Sequence, residues 1–359
     1  MKLKYKIWFL VALLAFVCNT LVRAQDTAKV ESSSEKSAWN VRDFILEHVS
    51  DAYEWHITTW NKRQISIPLP VIIYSKTAGW NVFMSNKFKE QSVYRGFTIA
   101  GEGKYKGKIV ELKENGESAR PFDVSITKVT LSLIINSLLL IVIIMTTARS
   151  YKKHGFGAKK GFVGFMEMFI MNINDEVIKP CVGNDYRRYS PYLLTVFFFV
   201  FLNNIMGTLP MFPGGGNVTG NITITFVLAI ITFLIVNISG TKEYWKEIFW
   251  PEVPTWLKAP VPLIPVIEVV GMFTKPFALM IRLFANMIAG HSITLGLVTL
   301  IFVTVSLGPA MNAGMSAVSI LLSVFIGLLE LLVAFLQAYI FTMLSAVFIG
   351  LARVKPHRK

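Results

Sequence analysis

The stretch Phe277–His291, FALMIRLFANMIAGH, decides how the rest of the chain is read. It lies inside an apolar run from about residue 261 to residue 307, with Arg282 near the centre. A charge held in hydrocarbon costs about 2.5–3.5 kcal/mol even on the most forgiving insertion scales. Either the run is the core of a soluble protein, or it crosses a membrane and the charge has a use. Composition decides between them. The chain has 359 residues, 53% of them hydrophobic and 16% charged, against about 25% charged in soluble domains. Its apolar residues gather in long runs, the pattern of several membrane spans. The net charge of +14 then belongs to loops at the membrane surface and is no footprint of nucleic-acid binding. Two cysteines, Cys18 and Cys181, imply neither a disulfide framework nor a metal cluster.

Outward toward the N-terminus, MKLKYKIWFLVALLAFVCNTLVRAQ has three lysines, an apolar core from Ile7 to Val17, and Val22-Arg23-Ala24 before Gln25. That order is a secretory signal, with cleavage expected after Ala24, so residues 1–24 are read as a signal peptide. Residues 25–126 are polar, mixed in charge and rich in turns. SSEKSAWNVRDFILEHVSDAYEWHI has apolar residues at near-helical spacing, and the later part alternates in short strand-like runs. The expectation is a small exported α+β domain. His48 and His56, near Glu47 and Glu54, lack a third clear ligand, and no metal site or cofactor is expected.

From residue 127 to 359 the chain reads as a membrane domain, an all-α polytopic protein with about five transmembrane helices. Three spans are expected near residues 129–147, 192–209 and 222–239. Two longer apolar stretches follow, about 261–307 and 313–352. At 1.5 Å per residue, more than 40 residues reach about 60 Å, twice the hydrocarbon thickness. Such segments must tilt strongly, bend, or break into hairpins. Residues 161–182 are amphipathic and are expected at the interface or inside the protein. Loop charge sets the orientation: ARSYKKHGFGAKK carries five Lys or Arg, whereas PMFPGGGNVTGN carries none. The N-terminal domain is therefore expected in the periplasm of a bacterial inner membrane and the C-terminus in the cytoplasm.

The polar residues inside the apolar runs have spacing of their own. Arg282 and Asn286 are four apart and share a helix face, whereas His291 points elsewhere. Glu330 and Gln337 are seven apart on the last segment, as are Glu268 and Lys275 upstream. Asn203 and Asn204 lie in the second span, and Asn221 opens the third. Amides in spans commonly bond helix to helix. Ionisable groups at this depth mark an ion path. A secondary transporter with Arg282 and Glu330 in its ion path is the alternative class. It would call for internal repeats, and none is visible. An intramembrane enzyme would need a nucleophile or metal constellation, which neither Cys181 nor His291 has.

These residues carry a resemblance. KPFALMIRLFANMIAGH is similar to the arginine signature of subunit a of F-type ATP synthases, and LLELLVAFLQAYIFTMLSAVFIG resembles that family's last helix. FLNNIMGTLP and GNITITFVLAI resemble the two spans before them, so the likeness covers about residues 126–352 in order. The exported extension looks like the longer form found in Bacteroidetes-type bacteria. The resemblance implies a stator, with peripheral-stalk b subunits and membrane lipid around it, beside a rotating c-ring of small hairpin subunits. Two offset half-channels would pass protons to and from the ring's carboxylates, coupling the ion gradient to ATP synthesis by the whole complex. Arg282 matches the arginine between the half-channels, and Gln337 the glutamine that faces it and can accept one of its N–H bonds. His291 and Glu330 match a proton-relaying pair, and Asn286 lies on the arginine's face. Asn204, Asn221 and Glu268 are expected to help line the half-channels. Gly207 and Thr219 stand where some relatives have carboxylates.

Overall fold

A computed structural model describes residues 45, 50–60, 63–101, 103, 105–112, 118–155, 157, 159–209, 214–250 and 263–353. The expected signal peptide, His48 and nearly all of the stretch read as helical before residue 50 lie outside the described residues.

The N-terminal domain is built of short antiparallel strands. β1 (Glu54–Trp60) pairs with β2 (Arg63–Pro68). β3 (Pro70–Ser75) pairs with β4 (Gly79–Met84), and β8 (Phe122–Asp123) joins the other edge of β3. β5 (Phe97–Ile99), β6 (Ile109–Leu112) and β7 (Ser118–Ala119) form a third sheet, and α1 (Lys87–Glu90) is a single turn. Alternation drives the fold: Val71 and Ile73 of β3 and Phe83 of β4 turn inward to meet Tyr53, Phe97 and Ile109. Phe83 packs edge-on against Phe88 and Tyr94, with centroids 5.3 and 5.0 Å away. Each such burial contributes about 1.5–3 kcal/mol. One expectation is corrected here. The helical spacing was carried through His56 and Ile57, but Glu54–Trp60 is a strand. Its β-branched run Ile57-Thr58-Thr59 favours a pleated backbone, and Trp55 is buried as a strand residue.

Tyr53 donates its hydroxyl hydrogen bond to Asp123, tying the chain before β1 to β8. Burial first, and then that carboxylate, push the phenol above its ordinary range. Tyr53→Phe leaves a half-buried carboxylate short of one donor. It should destabilise this domain by about 1–3 kcal/mol, read as faster hydrogen exchange at the β3 amides in the full-length chain.

The domain runs straight into the first membrane helix, α2 (Lys128–His154). Val124 and Ile126 extend β8 along β3 by donating to the carbonyls of Ile72 and Pro70, at 2.9 and 3.1 Å. Thr127 caps the helix by accepting from the Thr130 amide. The first amides of a helix have no partner within it. Here the Lys128 amide donates to the Ala52 carbonyl at 2.9 Å, and that of Val129 to Asp51 Oδ1 at 3.1 Å. The β domain thus holds the end of α2 by two bonds.

Four further helices, or helical runs, are long and apolar enough to cross a membrane, making five with α2. α3 (Gly161–Asn172), a wider turn (Ile173–Ile178), α4 (Lys179–Val182) and a tight turn (Gly183–Asp185) lead into α5 (Tyr186–Thr208). α6 (Ile222–Ser239) follows, then the short α7 (Lys242–Phe249). α8 (Leu263–Val303) and α9 (Pro309–Ala352) have 41 and 44 residues. Of the three options for the long stretches, a hairpin is ruled out. The chain breaks only between them, at Thr304–Gly308, where Gly308 has φ 103°. Pro276 lies inside α8 without ending it. Their lengths, about 60 and 66 Å, leave a tilt or a bend as the ways to fit a hydrocarbon core of about 30 Å.

Leu193, Phe197 and Val200 of α5, Leu279 and Leu283 of α8, and Ala338, Phe341, Ala346 and Ile349 of α9 share one core with Ile173, Val177 and Ile178. Small residues let backbones approach, which stands in for hydrophobic drive inside lipid. At Gly350 a Cβ would lie 2.0 Å from the Cys181 carbonyl oxygen. At the same end, an ion pair joins Arg353 to Asp185.

Candidate functional site

Two contacts set the antiparallel register of α8 and α9. The Glu330 carboxylate lies over Gly290, where a Cβ would meet Oε1 at 2.3 Å. Toward the other end, Lys275 Nζ lies 5.8 Å from the centroid of the Phe348 ring. This register puts Arg282 opposite Ala338–Phe341, about one turn from Gln337. Arg282 is therefore midway between the Glu330 level and the Phe348 level.

Arg282 and Asn286 are both exposed on the outer face of α8, as their spacing predicts. Among the described residues, no hydrogen bond or ion pair engages Arg282. Gln337 behaves differently from expectation. It is 3% exposed, turned into the bundle, and its Oε1 accepts no hydrogen bond. The expected bond from Arg282 to Gln337 is not made, because one side chain faces outward and the other inward. On the side of Arg282 away from the β domain, Thr274, Lys275, Ala278, Leu344 and Phe348 border a groove of about 310 Å³ that reaches the guanidinium.

On the other side the Glu330 carboxylate lies against Gly290, one residue before His291. His291 and Glu330 therefore share a level along the helices, although neighbouring helix residues face different sides. They do not hydrogen-bond: His291 Nε2 is buried without a partner. That nitrogen faces Gly207, where a Cβ would lie 3.7 Å from it. Glu268 is remote from this pair. It lies 23 residues before His291 on the same helix, about 35 Å along the axis, and its carboxylate neighbours Tyr244 of α7. Burial first, and then Glu268, raise the Tyr244 phenol above its ordinary range.

The amides divide into the occupied and the idle. Asn204 is fully buried; its Oδ1 accepts from the Thr219 hydroxyl at 2.7 Å and its Nδ2 donates to the Ala334 carbonyl at 3.3 Å. Asn221 Oδ1 caps α6 by accepting from the Thr223 amide at 3.0 Å. Both amides are thus engaged within the chain. Residues not singled out from the sequence carry the idle atoms: Ser132 Oγ, Asn136 Oδ1 and Asn217 Nδ2 are buried without partners. A signal was present, because Lys128, Ser132 and Asn136 recur every four residues on one face of α2.

The described residues form a polytopic helical protein with Arg282 exposed near the middle of a long helix and Glu330 and His291 one level away. The chain is a member of the family described as ATP synthase A chain, whose model matches residues 130–350. Residues 44–128, the β domain, match a second model described only as a domain of unknown function (DUF8433). Among curated relatives, "ATP synthase subunit a 2" of Chlorobaculum tepidum is 44% identical over 64% of this chain and 64% of its own length. "ATP synthase subunit a" of Chlorobium phaeobacteroides is 44% identical over 64% and 66%. That of Myxococcus xanthus is 39% identical over 66% and 75%. The matched part thus spans somewhat under two thirds of the first two relatives. These matches do not favour a secondary transporter.

Proposed function

We propose that this chain is the stator of the membrane sector of an F-type ATP synthase, conducting protons to and from carboxylates on a rotating c-ring. The observation that carries the reading is Arg282, exposed at mid-helix and unpaired among the described residues. A guanidinium keeps its proton where a buried ammonium can lose it. A ring carboxylate 4 Å away would be attracted by about 4 kcal/mol at an effective dielectric of 20. That favours proton release beside Arg282, while the fixed positive charge repels protons that would cross directly. The His291–Glu330 level on one side and the groove at Lys275 and Phe348 on the other suit two offset half-channels. Gln337, level with the arginine and with a free Oε1, is available to it once the ring is present. Asn286 shares the arginine's exposed face toward the ring, and Glu268 belongs to the far half-channel.

The remaining arrangement follows from this reading. Loop charge supports a periplasmic β domain and a cytoplasmic C-terminus in a bacterial inner membrane, with residues 25–126 exported behind a cleaved signal of residues 1–24. The c-ring, peripheral-stalk b subunits and the rest of the synthase are the partners.

His291 and Glu330 give a direct test. His291→Glu and Glu330→His should each slow ATP-driven acidification of inverted vesicles, with the complex still assembled. The double exchange should recover part of that rate, because an acid and an imidazole again share one level. A double mutant no faster than the slower single one would separate the two residues and remove the proposed relay.

A further inference from the structure

We infer that the first span, held in place by the β domain, forms one wall of a water-filled inlet to His291, with Ser132, Asn136 and Asn217 as its lining. The inference rests on the reading of the chain as a proton-conducting stator. It starts from idle polar atoms. Ser132 and Asn136 are each 1% exposed and Asn217 8%, yet among the described residues Ser132 Oγ, Asn136 Oδ1 and Asn217 Nδ2 have no partner, and neither has His291 Nε2. A buried polar atom left unsatisfied costs about 1–3 kcal/mol, and natural proteins meet such atoms with water.

These atoms belong to one neighbourhood. A Cβ on Gly216 would lie 1.7 Å from Ser132 Oγ, so the serine hydroxyl rests against that glycine. A Cβ on Gly207 would lie 3.9 Å from the Gly216 carbonyl oxygen and 3.7 Å from His291 Nε2. Gly207 and Gly216 therefore link Ser132 to His291, with the Met287 methyl beside Gly207 at 3.3 Å from the same Cβ position. One turn deeper, Asn136 Nδ2 donates to Asn203 Oδ1 at 3.0 Å, which leaves its own oxygen free. Asn217 Oδ1 accepts from the Gly220 amide at 2.8 Å, which leaves its nitrogen free. The inlet's own lining is of uncharged donors and acceptors, and Lys128 stands one turn from Ser132 on the same face of α2. Such groups can order water on the way to His291.

The β domain matters here through α2. Its bonds to the amides of Lys128 and Val129 fix the depth and rotation of the helix that carries Ser132 and Asn136. A domain with no assigned role is thereby given one, as the clamp that positions the inlet wall.

The test uses the assembled complex with Cys18 and Cys181 replaced by serine. Ser132→Cys and Asn136→Cys are compared with Leu138→Cys, which lies on the same helix but on its lipid-exposed face at 61% exposure. A membrane-impermeant anionic methanethiosulfonate is applied from the side that carries the β domain. Both inlet cysteines should react several-fold faster than the Leu138 variant, and proton pumping should fall in step with labelling. Reaction no faster than at Leu138, or full labelling with unchanged pumping, would overturn the inference. Arg282→Ala in the same background keeps the two readings apart. If that change abolishes ATP synthesis while the inlet cysteines stay unlabelled, only the inlet is wrong. If synthesis survives the loss of Arg282, the stator reading itself fails.

Discussion

Arg282→Ala should abolish ATP synthesis and, in complexes that still assemble, raise passive proton leak. The two effects share one cause. Arg282 makes no hydrogen bond or ion pair among the described residues, so its loss leaves no partner charge stranded there. What disappears is the fixed positive charge between the His291–Glu330 level and the groove beside Lys275. Without it, a proton can pass between the half-channels without a full turn of the ring. Arg282→Lys should also fail in synthesis, because an ammonium loses the planar fork and can give up its proton in an apolar setting. An arginine that merely paired structurally would give poor insertion and lost association, with no leak from surviving complexes. Assembly and passive conductance measured on the same membranes distinguish the outcomes, and near-normal synthesis in Arg282→Ala would sink the mechanism.

The second large effect is expected far from any proton. At Gly350 an added Cβ would lie 2.0 Å from the oxygen and 3.1 Å from the carbon of the Cys181 carbonyl, both backbone atoms. Backbone cannot swing aside as a flexible side chain does, so α9 must lift from α4. Overpacking of a close-packed core costs about 1–3 kcal/mol and sometimes more. Gly350→Ala should therefore lower the denaturation midpoint in detergent, and Gly350→Val should leave little folded protein in the membrane. Gly314→Ala is the control: the same helix has nothing within 4 Å of a Cβ there, so stability should hold or rise slightly with the better helix former. Equal tolerance at 350 and 314 would mean that α9 and α4 do not pack as closely as described.

The spans were legible because hydropathy is local, and so was the stripe of Arg282 and Asn286, which needs only helical spacing. The course of α8 was less so. A proline at 276 costs the helix one hydrogen bond, yet apolar surroundings offer the chain nothing better than to remain helical. Partner choice was not legible at all. Asn204 and Asn136 look alike in sequence as single amides in apolar runs, but one has both ends of its amide bonded across the bundle and the other keeps a free oxygen. That difference arises only when Thr219 and Ala334, 15 and 130 residues from Asn204, arrive beside it. Gln337 shows the same limit, since level along a helix is set by spacing but facing is set by neighbours. At the N-terminal side, near-helical spacing overran into Glu54–Trp60, where β-branched residues and pairing with β2 prevailed.

The length of α8 has a mechanical consequence. A helix of about 60 Å within about 30 Å of hydrocarbon must run obliquely for part of its course, by leaning or by bending at Pro276. Such a helix meets an upright neighbour at a crossing point, not along a seam, so few side chains on either partner touch at any instant. A surface of this kind grips weakly and evenly, which lets a neighbour slide past without being held in one preferred position. Obliquity makes a bearing.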